Sequence, residues 1–384
     1  ICHAIGADPL RFRLENCMPE GFVDPANGIT FHSYGLKKCM EKGADYIGWD
    51  ERRRAYANQT GPVRRGIGMA IFCYKTGVYP ISLETASARM ILNQDGSIQV
   101  QLGATEIGQG ADTVFSQMAA QTTGISFEHV YIVSTQDTDT APFDTGAYAS
   151  RQTYVSGMAV EKSGEALKAR ILDYASFMLD GRPVDELDVD HDFVIEKETG
   201  KELIDMPTLA VTAFYSLERS EHITAEVTNQ CRDNSFASGC CFVDVEVDMP
   251  LGKVTVKEIV NVHDSGMLMN PKLAEAQVHG GMSMGLGYGL SEEFIYSDKG
   301  KPLNDNLLDY KIPTAMDTPD LNVKFIQLDD PTGPYGNKSL GEPPTIPVAP
   351  ALRNAVLHAT GVAMDTIPMT PQRLIGAFQE KGLI

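Results

Sequence analysis

Seven cysteines in 384 residues, none in a Cys-x-x-Cys spacing, leave this sequence without the ligand pattern of an iron–sulfur cluster or a structural zinc. Cys2, Cys17, Cys39, Cys73, Cys231, Cys240 and Cys241 are odd in number and scattered, as thiols are in a reducing cytoplasm, where we expect the protein to reside. The adjacent Cys240 and Cys241 read as small buried hydrophobes of a strand. Eight histidines include no His-x-x-x-His pair, so no metal held directly by side chains is expected, and His279 is the histidine to watch. No run of 18 apolar residues exists, which argues against a membrane-spanning helix. Basic residues are also short: 32 Lys and Arg against 51 Asp and Glu give a net charge of -19. That balance argues against nucleic acid and anionic membrane surfaces as partners. An anionic cofactor would have to be held locally, by main-chain N–H groups at glycine-rich turns and helix starts. Neither an initiator methionine nor a signal-like segment opens the sequence, so the chain is expected either to be a fragment or to lack disordered or removed residues at its front.

Hydrophobic residues make up 43% of the chain, enough for two cores, and two units of unequal size are expected. Residues 1–60 read as charged helix, with Leu36, Cys39, Met40, Ala44 and Ile47 at helical spacing. Arg52-Arg53-Arg54 and Arg64-Arg65 read as a solvated face and a linker. From Gly66 the period changes to two. Residues 88–92, the turn Asp95-Gly96 and Ile98, Val100 and Leu102 predict a hairpin, followed by a glycine-rich loop at 103–110 and a helix carrying Val114, Met118 and Ala119. A strand at 130–133, a loop at 142–150 and a long helix at 154–179 follow. Next come a hairpin around Thr199-Gly200, an alternating strand at 242–247, and a strand at 254–260 after the turn Pro250-Leu251-Gly252. His263-Asp264-Ser265-Gly266 reads as a loop, and Asn270-Pro271 opens a helix at 272–289. Gly285-Leu286-Gly287-Tyr288-Gly289 lies in that helix with no strand before it, which fits close helix packing and not a dinucleotide fingerprint. Hairpins and long helices without βαβ alternation give an α+β fold with mixed sheets.

Gly341-Glu342-Pro343-Pro344 sets one carboxylate on a backbone stiffened by two prolines. A residue before proline is pushed out of the α region, so Glu342 is expected to be extended, with its carboxylate in a fixed direction as a candidate general base. A capping or loop acid is the plainer alternative. Pro347 and Pro350 are expected to keep the chain extended as far as a helix in which Ala351, Leu352, Ala355, Val356 and Ala359 recur. Three other segments share a texture of glycine, small residues and amides: Gly108-Gln109-Gly110, residues 146–153, and Gln277-Val278-His279-Gly280. Small residues let a ligand approach backbone donors, and an amide suits a neutral heterocycle or an oxo group. The hydroxyls of Ser150 and Thr153, just ahead of the long helix, suit a phosphate.

In this order the four segments resemble the molybdenum-cofactor-binding part of the xanthine dehydrogenase / aldehyde oxidase family, nearest in texture to its bacterial xanthine dehydrogenase branch. The likeness runs from residues 6–16 to Thr370-Pro371-Gln372-Arg373. It implies the second molybdenum-cofactor-binding subdomain over residues 63–384, with residues 1–62 the helical tail of the first subdomain and a linker. It further implies that Glu342 is the catalytic base, that Gln109 lies beside the molybdenum, and that Gly108 and Gly110 bind the cofactor with it. Ala147, Ala149, Ser150, Arg151 and Thr153 would then line the pyranopterin and pyrophosphate, with Gln277 on the pterin side. The metal would be held by the pterin dithiolene, the cofactor being molybdenum-molybdopterin in its cytosine dinucleotide form.

The activity so implied is hydroxylation of a purine such as xanthine or hypoxanthine with water as oxygen source; an aldehyde, nicotinate or an aromatic thioester are the alternatives. Electrons would leave through iron–sulfur clusters and FAD on partner subunits or domains. The family's Gly-Gly-Gly-Phe-Gly-type loop and Ala-Phe-Arg-Gly segment are both missing, which implies an upstream molybdopterin subdomain as a further partner and a chain inactive by itself. A non-catalytic assembly fragment with the same fold would still be expected to have lost one of Glu342, Gln109 and Gln277, and all three are present.

Overall fold

A computed structural model describes residues 1–26, 28–133 and 137–384 and divides the chain into two compact units. The first gathers residues 1–75, 235–331 and 338–384; the second holds 76–234 and 332–337. The boundary expected at 62/63 therefore falls inside one unit.

The first unit is built on a four-stranded sheet in the order Val63–Lys75, Phe236–Asp248, Lys253–Asp264, Leu321–Ile326. The first three strands pair antiparallel and the last pairs parallel with its neighbour. Helices Leu36–Ile47 and Trp49–Ala55 cover one face, and Pro271–Leu290, Val348–Thr360 and Pro371–Glu380 cover the other. The central strand is consequently buried on both faces, which its alternating sequence at 242–247 does not announce. Asp244 sits within it at 0% exposure. A carboxylate so placed must be compensated, because an unpaired buried charge costs several kcal/mol. Arg65 Nη2 (2.7 Å), Arg52 Nη1 (2.8 Å) and Tyr56 Oη (2.9 Å) all donate to it, and Arg52 also reaches Glu258. The arginine pairs expected to face solvent thus tie the N-terminal helices to the sheet, and this is why residues 1–62 do not form a separate tail.

Gly66 and Gly68 bring the edge strand against helix Val348–Thr360. A Cβ on Gly66 would lie 2.2 Å from the Ala355 carbonyl oxygen, and one on Gly68 would lie 2.1 Å from the Ala355 nitrogen. The outward backbone groups of this edge are paired by the helix: Ile67 N donates to His358 Nδ1 (3.1 Å) and Asn354 Nδ2 donates to Met69 O (2.9 Å). Burial pushes His358 down to about 4, which keeps Nδ1 available as an acceptor. On the facing helix, Gly281, Gly285 and Gly289 meet Pro344, Val348 and Leu352, the close packing expected of the glycine run.

The second unit carries a four-stranded sheet in the order Val130–Val133, Ile98–Leu102, Glu84–Leu92, Thr224–Cys231 and a three-stranded sheet of Leu187–Asp190, Phe193–Glu196 and Glu202–Asp205. Both expected hairpins, at Asp95-Gly96 and Thr199-Gly200, are present. Helices Ala111–Thr123 and Gly157–Met178 pack together beside the larger sheet, and the long one begins in a π-helical stretch, Gln152–Ser156. The architecture is α+β with mixed sheets.

Candidate active site

The residues expected to act divide between the two units: Glu342 and Gln277 belong to the first, and the 108–110 and 146–153 segments to the second.

Glu342 stands on a crest between two buried anchors. Lys338 and Ser339 are 3% and 2% exposed, Leu340 packs against the core, Gly341 and Glu342 emerge, and Pro343 and Pro344 are buried again. Its backbone is not extended. With φ -88° and ψ -33°, Glu342 heads a single 3-10 turn, Pro343–Thr345, and Ile346 and Pro347 are helical too, so the chain winds directly into helix Val348–Thr360. Thr345 N donates to Glu342 O and Ile346 N to Pro343 O, both at 3.2 Å. These turn bonds, with burial of both proline rings, outweigh the bias against α geometry before proline.

Beneath the crest, Asn261 is fully buried and donates through Nδ2 to Pro344 O (3.1 Å), while Gly281 leaves room for the Pro344 ring. His263, on the same face two residues along the strand, is likewise at 0% exposure, with ring centroids 5.1 Å from Phe72 and 6.2 Å from Phe325. Burial lowers it to about 3, so it is neutral. His263 and Asp264 were expected in a loop and are the last residues of a strand. Asp264 forms a fully buried ion pair with Lys338 Nζ (2.6 Å) and accepts from Gly35 N (2.7 Å) and Gly266 N (3.2 Å). Burial pushes the Asp264 carboxyl above the ordinary carboxylate range, against the opposing pull of Lys338 and the two N–H groups. Lys338 also donates to Ser33 O (3.2 Å), so the segment leading to Glu342 is pinned at its root. Tyr74, the last aromatic residue of the edge strand, donates its phenol proton to Glu342 Oε2.

Gln277 lies on the first half of helix Pro271–Leu290, partly exposed, and its amide makes no hydrogen bond among the described residues. A Cβ on nearby Gly280 would meet nothing within 4 Å. His279 has Glu275 3.9 Å away, one helical turn back.

In the second unit the glycine-rich loop differs from expectation. Glu106 Oε1 accepts from Gly108 N (2.6 Å) and Gly110 N (3.1 Å), and Oε2 accepts from Asp112 N (3.0 Å). A side-chain carboxylate already occupies the start of helix Ala111–Thr123, so these N–H groups are not an open anion cradle. Burial raises the Glu106 carboxyl, but the four backbone N–H groups of Asp112, Gly110, Gly108 and Ala111 together hold it below the usual range. Gly108 and Gly110 have φ of 102° and 85°, angles that suit glycine. Gln109 is knitted into the loop, accepting from Ile107 N (2.7 Å) and donating to Thr105 O (2.9 Å) and Gln152 Oε1 (2.8 Å). An acid just ahead of a helix start was the signal that could have identified Glu106.

Arg151 is also turned inward, at 0% exposure. It bonds Glu84 Oε2 (2.5 Å), Asp144 Oδ1 (2.7 Å), Gly146 O (2.9 Å) and Thr85 O (2.7 Å), and so fastens the loop instead of offering a free cation. Sequence spacing gave no hint of this: Asp144 is 7 residues from Arg151, but Glu84 is 67 residues away. The fastening holds Ala149 and Ser150 at φ 47° and 49°, positions that cost about 1–2 kcal/mol each for non-glycine residues. The main-chain N–H groups of Ala147, Tyr148 and Ala149 make no hydrogen bond among the described residues, and Gly146 faces open space.

These residues fit the expected cofactor in part. Three unspent main-chain donors flanked by small side chains suit a pyrophosphate, and the unspent amide of Gln277 suits a pterin edge. Thr153 follows the loop at the start of the π-helical stretch. Gln109 and the Arg151 guanidinium serve the loops that carry them.

A family model described as molybdopterin cofactor-binding domain matches residues 42–319. The xanthine dehydrogenase molybdenum-binding subunit of Escherichia coli O157:H7 is 48% identical over 382 residues, covering 99% of this chain and 51% of that protein. The aldehyde oxidoreductase molybdenum-binding subunit PaoC of Escherichia coli K12 is 29% identical over 375 residues, 96% of this chain and 48% of PaoC. Among solved structures, quinoline 2-oxidoreductase from Pseudomonas putida 86 superposes with a TM-score of 0.88 at 24% identity, over 99% of this chain and 50% of that one, a likeness of fold. The chain spans about half the length of the curated relatives it matches. By this match, over most of its length, the chain belongs to the molybdopterin cofactor-binding domain family.

Proposed function

We propose that this chain is the C-terminal molybdopterin-binding part of a molybdenum hydroxylase that oxidises a purine such as xanthine or hypoxanthine, with Glu342 as general base. The observation that carries the reading is the placement of Glu342, raised into solvent between buried anchors and held by Tyr74. The purine assignment is supported by the 48% identity to a xanthine dehydrogenase subunit. Unspent donors at 147–149 support a cofactor that carries a pyrophosphate, as in the cytosine dinucleotide form. Scattered cysteines support placing iron–sulfur clusters and FAD on partners, with the upstream molybdopterin subdomain a further partner and the cytoplasm as the compartment. Among the described residues no helix is long and apolar enough to cross a membrane.

The cofactor, when bound, supplies two-electron oxidation of a ring carbon and delivery of a water-derived oxygen to it. Overall, a C–H bond and water become a C–OH bond, two electrons and two protons. The chain's part is to take up a proton at the Glu342 carboxylate as the new C–O bond forms, within a turn held from below by Asn261 and Lys338. Small residues at 146–150 let the cofactor approach the main chain.

The test is anaerobic oxidation of xanthine, hypoxanthine and an aldehyde panel by the assembled enzyme in ¹⁸O-enriched water. The label should appear in the purine product. Label only in a carboxylic acid would move the substrate to an aldehyde, and no oxidation of any substrate by molybdenum-loaded protein would favour the assembly fragment.

A further inference from the structure

Two prolines fix the backbone beneath Glu342 but leave its side chain on an exposed crest, where a glutamate has its full set of rotamers and ordering it costs up to about 2 kcal/mol. What directs the carboxylate is on another strand. Along Val63–Lys75, Gly66, Gly68 and Ala70 face helix Val348–Thr360, and by strand alternation Phe72 and Tyr74 continue the same face with increasing size. The glycines meet the helix main chain near Ala355 and Ala351. Two strand residues advance about 6.6 Å and four helix residues about 6.0 Å, so strand and helix run past each other almost in step. Continued toward the helix start, that register sets Tyr74 opposite the Glu342 turn, and there its phenol meets Glu342 Oε2. Phe72, 4% exposed and tilted against the His263 ring, fills the space beneath. Gly239 makes this possible: a Cβ there would lie 2.6 Å from the Phe72 ring. Tyr74 pairs with Ala237 of the central strand, so its backbone is held in the sheet on which the unit is built.

We propose that Tyr74 is a positioning residue for the reaction, its phenol holding the Glu342 carboxylate in the orientation from which it takes up the proton. This rests on the reading of Glu342 as the base. A tyrosine suits the task because its two side-chain torsions lose little freedom and its hydroxyl donates to a carboxylate in a charge-assisted bond. Substrate binding need not involve it, so its removal should reduce the rate of the chemical step and leave substrate affinity alone.

The experiment is a double-mutant cycle on the molybdenum-loaded, assembled enzyme with Tyr74→Phe, Glu342→Gln and both together, read as single-turnover reduction by substrate, substrate dissociation constant, molybdenum content and melting temperature. Tyr74→Phe should slow reduction roughly tenfold with affinity and metal content unchanged, since a bond to a charged group is lost. In the Glu342→Gln background it should add no further slowing, and the melting temperatures should be non-additive because the two side chains touch. Full-speed reduction by Tyr74→Phe, or the same tenfold loss on top of Glu342→Gln, would overturn the proposal while leaving Glu342 as base. Loss of molybdenum from Tyr74→Phe would make the tyrosine a folding residue and would also overturn it. Undiminished reduction by Glu342→Gln alone would overturn the reading of the base, and this proposal with it.

Discussion

Glu342→Gln in the assembled enzyme is expected to lower turnover by about 10²–10⁴-fold, the range that a positioned general base contributes. The substitution is nearly isosteric, and the amide oxygen can still accept from Tyr74, so the crest should keep its shape. What is lost is the ability to accept a proton at neutral pH. Melting temperature and molybdenum content should therefore match the parent within error, because the side chain is exposed and its neighbours Pro343 and Pro344 hold the turn through burial. Steady-state kinetics with metal analysis on the same preparation checks this. Turnover that survives with molybdenum fully loaded would remove Glu342 from the chemistry.

Lys338→Met is expected to have the largest effect on stability. Lys338 and Asp264 are both 0% exposed at their side chains and 2.6 Å apart. Removing the lysine leaves a carboxylate sealed in the interior, a loss of about 3–5 kcal/mol. For a unit of this size that is a fall in melting temperature on the order of 10 °C. The loss should be smaller in Lys338→Met combined with Asp264→Asn, since no charge is left to solvate and the single amide oxygen can still accept from one of Gly35 N and Gly266 N. Thermal denaturation of the two variants measures the coupling. Equal losses in single and double variants would show that the pair is not energetically linked. Because Lys338 lies four residues before Glu342, the single variant should also lose activity below its melting transition, through movement of the crest.

The local pattern was readable wherever one residue's neighbours in sequence decide its conformation. Asp95-Gly96 and Thr199-Gly200 made their hairpins, Asn270 capped its helix by accepting from Leu273 N, and the glycine run at 285–289 packed closely as expected. Long-range charge was not readable. Arg52 and Arg65 look like surface residues until Asp244, some 180–190 positions away, turns out to be buried beside them. Arg151 looks like a phosphate ligand until Glu84 and Asp144 close around it, and the glycine loop looks open until Glu106 fills it. The expectation that two prolines fix the direction of the Glu342 carboxylate holds only in part. The prolines are buried and fix the turn, but the turn is helical, and the direction of the carboxylate comes from Tyr74, 268 residues earlier in the chain. Sequence spacing carries no information about such a contact; the taper from Gly66 to Tyr74 along one strand face is its only trace.

The most direct test of the account is molybdenum analysis, with extraction of the pterin, on this polypeptide alone and after co-expression with the proposed upstream molybdopterin subdomain. The account predicts about one molybdenum and one pyrophosphate-bearing pterin per chain in the co-expressed sample and little in the lone chain, because cofactor binding and a completed site go together. An assembled sample that is folded yet holds neither metal nor pterin would contradict it.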